Sequence, residues 1–161
     1  MKRLLVYRHA KTEKTQENMA DFLREITDEG EQQARSIGRQ LAKNEWHPQL
    51  ILCSDAVRAV QTAEVTIEEA GQDWKIREQE ELYGAGAEDY ISLLREQDDN
   101  YDTLMVVGHN PAIEDLLAKI LKREADMKTA WIAVLDLEID SWKQFGDGSE
   151  VTIQETLTPD S

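Results

Sequence analysis

Thr103 to Pro111 reads T-L-M-V-V-G-H-N-P, and the reading of this stretch decides the fold. Thr103 to Val107 is a short, continuously apolar run rich in β-branched residues, the pattern of a strand buried on both faces. Pro111 to Lys122 is amphipathic at helical spacing, with Asn110 as the expected cap and proline in the first turn. Strand, tight turn, helix is the unit of an α/β layered fold. Working outward, the same unit recurs. Arg3 to Tyr7 (RLLVY) predicts a buried strand, and Gln49 to Cys53 (QLILC) predicts another, followed by a helix over Ala56 to Ala70 that Gly71 ends. Thr27 to Asn44 predicts a helix capped by Thr27 or Asp28, with Ala34, Ile37, Leu41 and Ala42 near one face. Lys75 to Arg77 is a short strand candidate, and Glu88 to Gln97 is helical. Ala130 to Leu137 and Glu150 to Thr156 read as two strands joined across Phe145-Gly146-Asp147-Gly148, whose Asp-Gly pair signals a turn. The expectation is a three-layer α/β/α fold with a mostly parallel central sheet and a C-terminal β-hairpin at its edge.

Composition sets bounds. The 161 residues fit one domain spanning 1–161, and no repeat or Pro/Gly/Ser linker interrupts them. No apolar run approaches the roughly 20 residues that cross a bilayer. Leu4 to Tyr7 is also far shorter than the roughly 7–15 apolar residues of a signal-peptide core. The lone Cys53 excludes an intramolecular disulfide, which fits a cytoplasmic location. Net charge is −15, and residues 136–161 carry seven acids against the single base Lys143. Nucleic acid and anionic membranes are therefore disfavoured as partners. An anionic ligand would need a small, locally basic site on this acidic chain.

Such a site is in view. Arg8 and His9 follow the first strand directly. Ser54-Asp55-Ala56-Val57-Arg58 follows the second and opens a helix, and Gly108-His109-Asn110-Pro111 follows the strand at Thr103 to Val107. In open α/β sheets ligands bind beyond the carboxyl ends of the strands, so parallel neighbours would bring these side chains to one mouth. Arginine's planar fork takes two phosphoryl oxygens at once and keeps its charge. A neutral histidine nitrogen is a competent nucleophile near neutral pH. Phosphoryl transfer asks for little beyond positioning and charge stabilisation, so guanidinium groups can stand in for a metal. His9, His47 and His109 lack paired metal-ligand spacing and Cys53 is alone, so neither metal nor cofactor is expected. Trp46, Trp74, Trp131 and Trp142 are too dispersed for a nucleic-acid stacking platform.

R-H-A at Arg8 to Ala10, S-D-A-V-R-A-V-Q-T-A at Ser54 to Ala63 and V-V-G-H-N-P at Val106 to Pro111 resemble the histidine phosphatase superfamily, also called phosphoglycerate-mutase-like. Arg8, His9, Arg58 and His109 match its four core positions. R-H-A-K at Arg8 to Lys11, D-F-L-R-E-I-T-D-E-G at Asp21 to Gly30 and G-H-N-P-A-I-E resemble SixA-type phosphohistidine phosphatases within it. The resemblance spans about residues 3–137 and implies a covalent mechanism in two steps. His9 accepts the phosphoryl group while Arg8, Arg58 and His109 hold its oxygens, and water then releases phosphate. It also implies Arg24 as a further phosphate contact. The chain departs from many relatives by carrying Ala10 where they carry glycine. Mutase-type members use a glutamate before a Tyr-Gly-like segment to protonate the leaving oxygen. Glu78, Glu80 and Glu81 precede Leu82-Tyr83-Gly84 here, so Glu81 or a neighbour is the corresponding candidate. The implied substrate is phosphohistidine on a phosphorylated protein. The alternatives are a small phosphorylated substrate, hydrolysed by the same chemistry, or a non-catalytic phosphate-binding module. Oligomeric state is not legible in the sequence.

Overall fold

A computed structural model describes residues 1–15 and 18–160. Six strands form one sheet: β1 (Lys2–Arg8), β2 (Leu50–Ser54), β3 (Ile76–Gln79), β4 (Thr103–Gly108), β5 (Ile132–Leu137) and β6 (Val151–Leu157), in the order β3-β2-β4-β1-β5-β6. Strands β1 to β4 pair in parallel, while β5 pairs antiparallel with β1 and β6 antiparallel with β5. The fold is thus the expected mostly parallel sheet closed at one edge by the C-terminal hairpin. The long connection between β5 and β6 also contains a short 3-10 turn, Trp142–Gln144.

The four helices are α1 (Asp28–Lys43), α2 (Val57–Ala70), α3 (Ala87–Arg95) and α4 (Ala112–Leu121). Helices α1 and α2 cover one sheet face, where Ala34, Ile37, Leu41, Ala59 and Ala63 pack on Leu5, Tyr7, Ile51, Cys53, Met105 and Val107. Helices α3 and α4 cover the other, packing Tyr90, Ile91, Leu94, Ile113 and Leu116 on Leu4, Val6, Leu52, Leu104 and Val106. Odd and even residues of each central strand enter different cores, which is why these strands are apolar throughout rather than alternating. Full burial of each such aliphatic side chain stabilises by roughly 1.5–3 kcal/mol.

Local signals set the helix ends. Thr27 Oγ1 accepts from the Gly30 amide (3.0 Å) and caps α1, and Gly71 ends α2 at a φ of 67°, where a Cβ would strain the backbone. At α4 the outcome differs from expectation. Pro111 is the cap residue, and Asn110 lies one place outside it. Its Oδ1 still accepts from the Glu114 amide (3.3 Å), while its Nδ2 donates to the Met127 carbonyl (2.8 Å), so this side chain ties the helix start to the segment before β5. Ala42, expected on the buried face of α1, is only half-buried.

Strands β2, β4 and β1 are consecutive neighbours, with Arg8 opposite Gly108 and Cys53 opposite Val107. Their carboxyl ends therefore deliver Arg8-His9, Ser54 and Gly108-His109 to one rim of the sheet.

Candidate active site

His9 leaves β1 with its amide bonded to the Gly108 carbonyl (3.1 Å), and the Ala130 amide closes on its own carbonyl (3.0 Å). Backbone pairing on both sides thus fixes the residue. Its ring is nearly buried, at 7% exposure, and Nδ1 lies 2.8 Å from the Ala10 carbonyl. A carbonyl oxygen only accepts, so Nδ1 carries the proton and the lone pair sits on Nε2. Burial, reinforced by the neighbouring His109 ring and the Arg58 and Arg8 charges, holds the His9 pKa down to about 3, so the ring is neutral at pH 7. Ala10 is wholly buried, and its amide donates to Thr62 Oγ1 (2.9 Å), which in turn donates to the Arg58 carbonyl (2.7 Å). One threonine therefore links the turn after β1 to the first turn of α2.

Arg58 is 5% exposed. Its Nη1 donates to the Asp21 carbonyl (2.8 Å) and its Nη2 to Asp21 Oδ2 (3.0 Å), so Asp21 grips the outer edge of the guanidinium. Tyr83 donates its hydroxyl to the same carboxylate oxygen (2.8 Å), and Arg24 Nε donates to Oδ1 (2.9 Å). These bonds, the one from Tyr83 foremost, hold the Asp21 pKa at about 2. Arg24 Nη1 is further tied to Thr12 Oγ1 (2.8 Å) and the Glu13 carbonyl (3.0 Å). The structure thus places Arg24 beside the cluster, two of its nitrogens engaged with protein. Arg8 Nη1 donates to the Met127 carbonyl (2.9 Å).

His109 stands at the end of β4, its ring centroid 5.1 Å from that of His9 and 5.8 Å from that of Tyr83. Its amide donates to the Tyr90 hydroxyl (3.3 Å), and a Cβ at position 108 would run into that same hydroxyl, so only glycine fits before the histidine. Burial, then the Arg58 charge, holds the His109 pKa down to about 4. Its Nε2 meets Ser54 Oγ at 2.8 Å.

The polar atoms that find no partner make a pattern. Among the described residues, the buried side-chain nitrogens and oxygens without one are Arg8 Nε, Arg58 Nε, His109 Nδ1 and Asp55 Oδ1. Buried polar groups are almost always satisfied, yet three of these four belong to the cationic cluster. The fourth is on the turn that leads into α2. Beside the cluster opens a hollow of about 360 Å3 lined by Asp21, Arg58, Tyr83, Gly84, Ala85, His109 and the start of α4. Glu78, Glu80 and Glu81 are exposed and line no part of it. Cys53 is wholly buried with its thiol pKa pushed up by burial, and His47 stacks near Trp74 well outside the cluster. Lys11 pairs with Glu29. No group of acids, histidines and cysteines suited to a metal occurs among the described residues.

Sequence reasoning did not single out Asp21, Ser54, Thr62 or Tyr83 as site residues. Their bonds to the cluster span up to 62 residues of chain, a separation that no local pattern reports. An acid three residues before an arginine, in a stretch already notable as D-F-L-R, was the one available signal for Asp21.

Parallel strand ends that gather two histidines and two arginines, each arginine with an Nε that no protein group engages, make a cationic site of the kind that handles anions. Residues 4–84 match the family model described as histidine phosphatase superfamily (branch 1). The Mycobacterium tuberculosis uncharacterized protein Rv1276c (strain H37Rv) is 36% identical over 121 residues, 73% of each chain. SixA from Agrobacterium tumefaciens superposes with a TM-score of 0.85 at 27% identity, covering 98% of both chains. The protein histidine phosphatase SixA complexed with tungstate shares the fold at a TM-score of 0.81 and 19% identity, over 98% of this chain and 97% of that one. The chain belongs to the histidine phosphatase superfamily, and its fold is that of the SixA type. Among the described residues no helix is long and apolar enough to cross a membrane.

Proposed function

We propose that the protein is a phosphohistidine phosphatase that acts through a phosphorylated His9. The observation that carries this reading is a set of three buried nitrogens, Arg8 Nε, Arg58 Nε and His109 Nδ1, that no protein group pairs, in the same cluster as a neutral His9 with a free Nε2 lone pair. The two arginine Nε–H groups donate in any state and the His109 ring stands beside them, a set sized for the oxygens of a phosphoryl group, and a low-dielectric rim makes each hydrogen bond count for more than it would in water. Nε2 attacks phosphorus in line, and the P–N bond of the substrate breaks with its electron pair going to the substrate ring, which carries a proton from solvent on its other nitrogen and so leaves as neutral imidazole. The His9 ring, already protonated on Nδ1, becomes a phosphoimidazolium whose Nδ1–H stays on the Ala10 carbonyl. Water then attacks phosphorus, releasing phosphate and neutral His9. Arg24, anchored by Asp21, adds positive charge for the bound phosphoryl group.

The choice of phosphohistidine over a phosphoester rests on the leaving group. An alkoxide needs a proton from a nearby acid, whereas an imidazole leaves readily from phosphorus. Among the described residues Asp21 is the sole carboxyl lining the hollow, and with a pKa of about 2 it is ionised and has no proton to give. Beside Asp21, Arg58, Tyr83, His109 and Asn110 the hollow is lined by Gly84, Ala85, Pro111 and Ala112, a small-residue, apolar side that can receive an imidazole presented by a protein. The net charge of −15 favours protein partners with neutral or basic faces, and the composition supports a cytoplasmic location.

The test is a substrate panel comprising a phosphohistidine protein, phosphoramidate, sugar phosphates and nucleotides, with His9→Ala as control. Turnover concentrated on the P–N substrates, and abolished in His9→Ala, is expected. Preference for a sugar phosphate would overturn the substrate assignment, and retained activity in His9→Ala would overturn the nucleophile.

A further inference from the structure

Ser54 is the last residue of β2 and is wholly buried. Among the described residues its Oγ has two hydrogen-bond neighbours, the Ala56 amide at 3.3 Å and His109 Nε2 at 2.8 Å. The amide can only donate. A serine hydroxyl carries one hydrogen, and away from water that hydrogen needs an acceptor. The imidazole nitrogen is the acceptor in reach. Nε2 of His109 must then hold a lone pair, which leaves the proton of the neutral ring on Nδ1. That nitrogen is the one with no partner inside the protein.

We infer that Ser54 is a positioning residue that fixes His109 in its Nδ1–H tautomer, so that the ring offers a donor and not a lone pair to the phosphoryl oxygens. The inference rests on the phosphatase reading above and deepens it. The other tautomer would aim a lone pair at an anion, replacing a hydrogen bond with repulsion. The two site histidines are thus set by opposite devices. At His9 a carbonyl accepts from Nδ1 and exposes a lone pair on Nε2 for attack. At His109 a hydroxyl donates to Nε2 and leaves Nδ1–H for binding. Both rings are neutral and both are Nδ1–H tautomers, yet one is poised as a nucleophile and the other as a hydrogen-bond donor.

Long-range 1H–15N correlation spectra of the free protein near pH 7 report the tautomer of each ring directly, without substrate. Wild type should show His109 protonated on Nδ1 alone. In Ser54→Ala the ring should shift toward Nε2–H, kcat should fall roughly tenfold and vanadate inhibition should weaken by a similar factor, the worth of about one hydrogen bond. A wild-type His109 protonated on Nε2 overturns the proposal, and so does a Ser54→Ala protein that keeps the Nδ1–H tautomer, whatever its rate. A flipped tautomer with unchanged kcat overturns the functional half. Should Ser54→Ala fail to fold, the wild-type spectrum still decides. The phosphatase reading stands or falls separately, on the substrate panel and His9→Ala.

Discussion

Two hollows of nearly equal size lie on this protein and carry opposite chemistry. One, about 360 Å3, opens beside Arg58 and His109 at the carboxyl rim of the sheet. The other, about 340 Å3, runs between α1 and α2 and is lined by Asp28, Glu31, Glu64 and Glu68. The acids of the second are solvated or paired with surface arginines, as Glu31 and Glu68 are with Arg35, and its residues leave no buried polar atom unsatisfied. The first is lined by Arg58 and His109, which leave two buried nitrogens without a protein partner, and the nearby Arg8 leaves a third, on a chain of net charge −15. Size does not distinguish them. What distinguishes them is desolvated hydrogen-bonding capacity that folding does not use, a cost carried in the resting protein that, on the function proposed above, a bound phosphoryl group would recover.

If that difference is what makes one hollow a site, substitutions in the two should behave unlike one another. Arg58→Ala should lower kcat/KM by about 10²–10³-fold, as removal of one preorganised donor does elsewhere, and should also lower the thermal midpoint, because Asp21 loses its partner. Steady-state kinetics beside a melting curve check this, and a fall of less than about threefold would break the comparison. Asp21→Ala frees Arg58, Arg24 and Tyr83 together. It should raise KM and weaken vanadate inhibition by roughly tenfold while kcat changes less, since the guanidinium loses its orientation and not its charge.

The same desolvation predicts a pH dependence of stability. His9 and His109 have folded pKa values near 3 and 4, against 6.5 for an ordinary histidine. As pH falls below 6.5 the unfolded chain takes up protons that the folded chain refuses. Stability present above pH 6.5 is therefore lost progressively toward pH 3. Urea unfolding at pH 5.5 should show a stability lower than at pH 7 by about 2–3 kcal/mol, and His9→Gln should roughly halve that loss. Glu64→Gln, in the acidic hollow, should leave kcat/KM within about twofold and stability within about 0.5 kcal/mol.

Much of the architecture was legible because each unit announced itself locally. The apolar runs at Leu4–Tyr7, Leu50–Cys53 and Leu104–Val107 are continuous because α-helical layers cover both sides of the sheet, and Thr27 and Gly71 marked helix ends through their own chemistry. Arg8, His9, Arg58 and His109 stood out because polar, reactive residues directly after buried strands have few structural reasons to be there. The supporting residues were hidden for a physical reason. Asp21, Ser54 and Tyr83 act through hydrogen bonds made across 37 to 62 residues of chain, and such bonds depend on packing rather than on any period in the sequence. The start of α4 shifted by one residue because Asn110 spends its side chain on Met127 as well as on the helix.

The central claim is that His9 Nε2 becomes phosphorylated. Brief incubation with a small P–N phosphoryl donor, rapid quench into alkali and intact-mass analysis should reveal one added phosphoryl group per chain. That group should be lost on acid treatment, map to His9 and be absent from His9→Ala. A quenched protein that turns over the donor yet carries no acid-labile phosphoryl group, or a label that survives in His9→Ala, would contradict it.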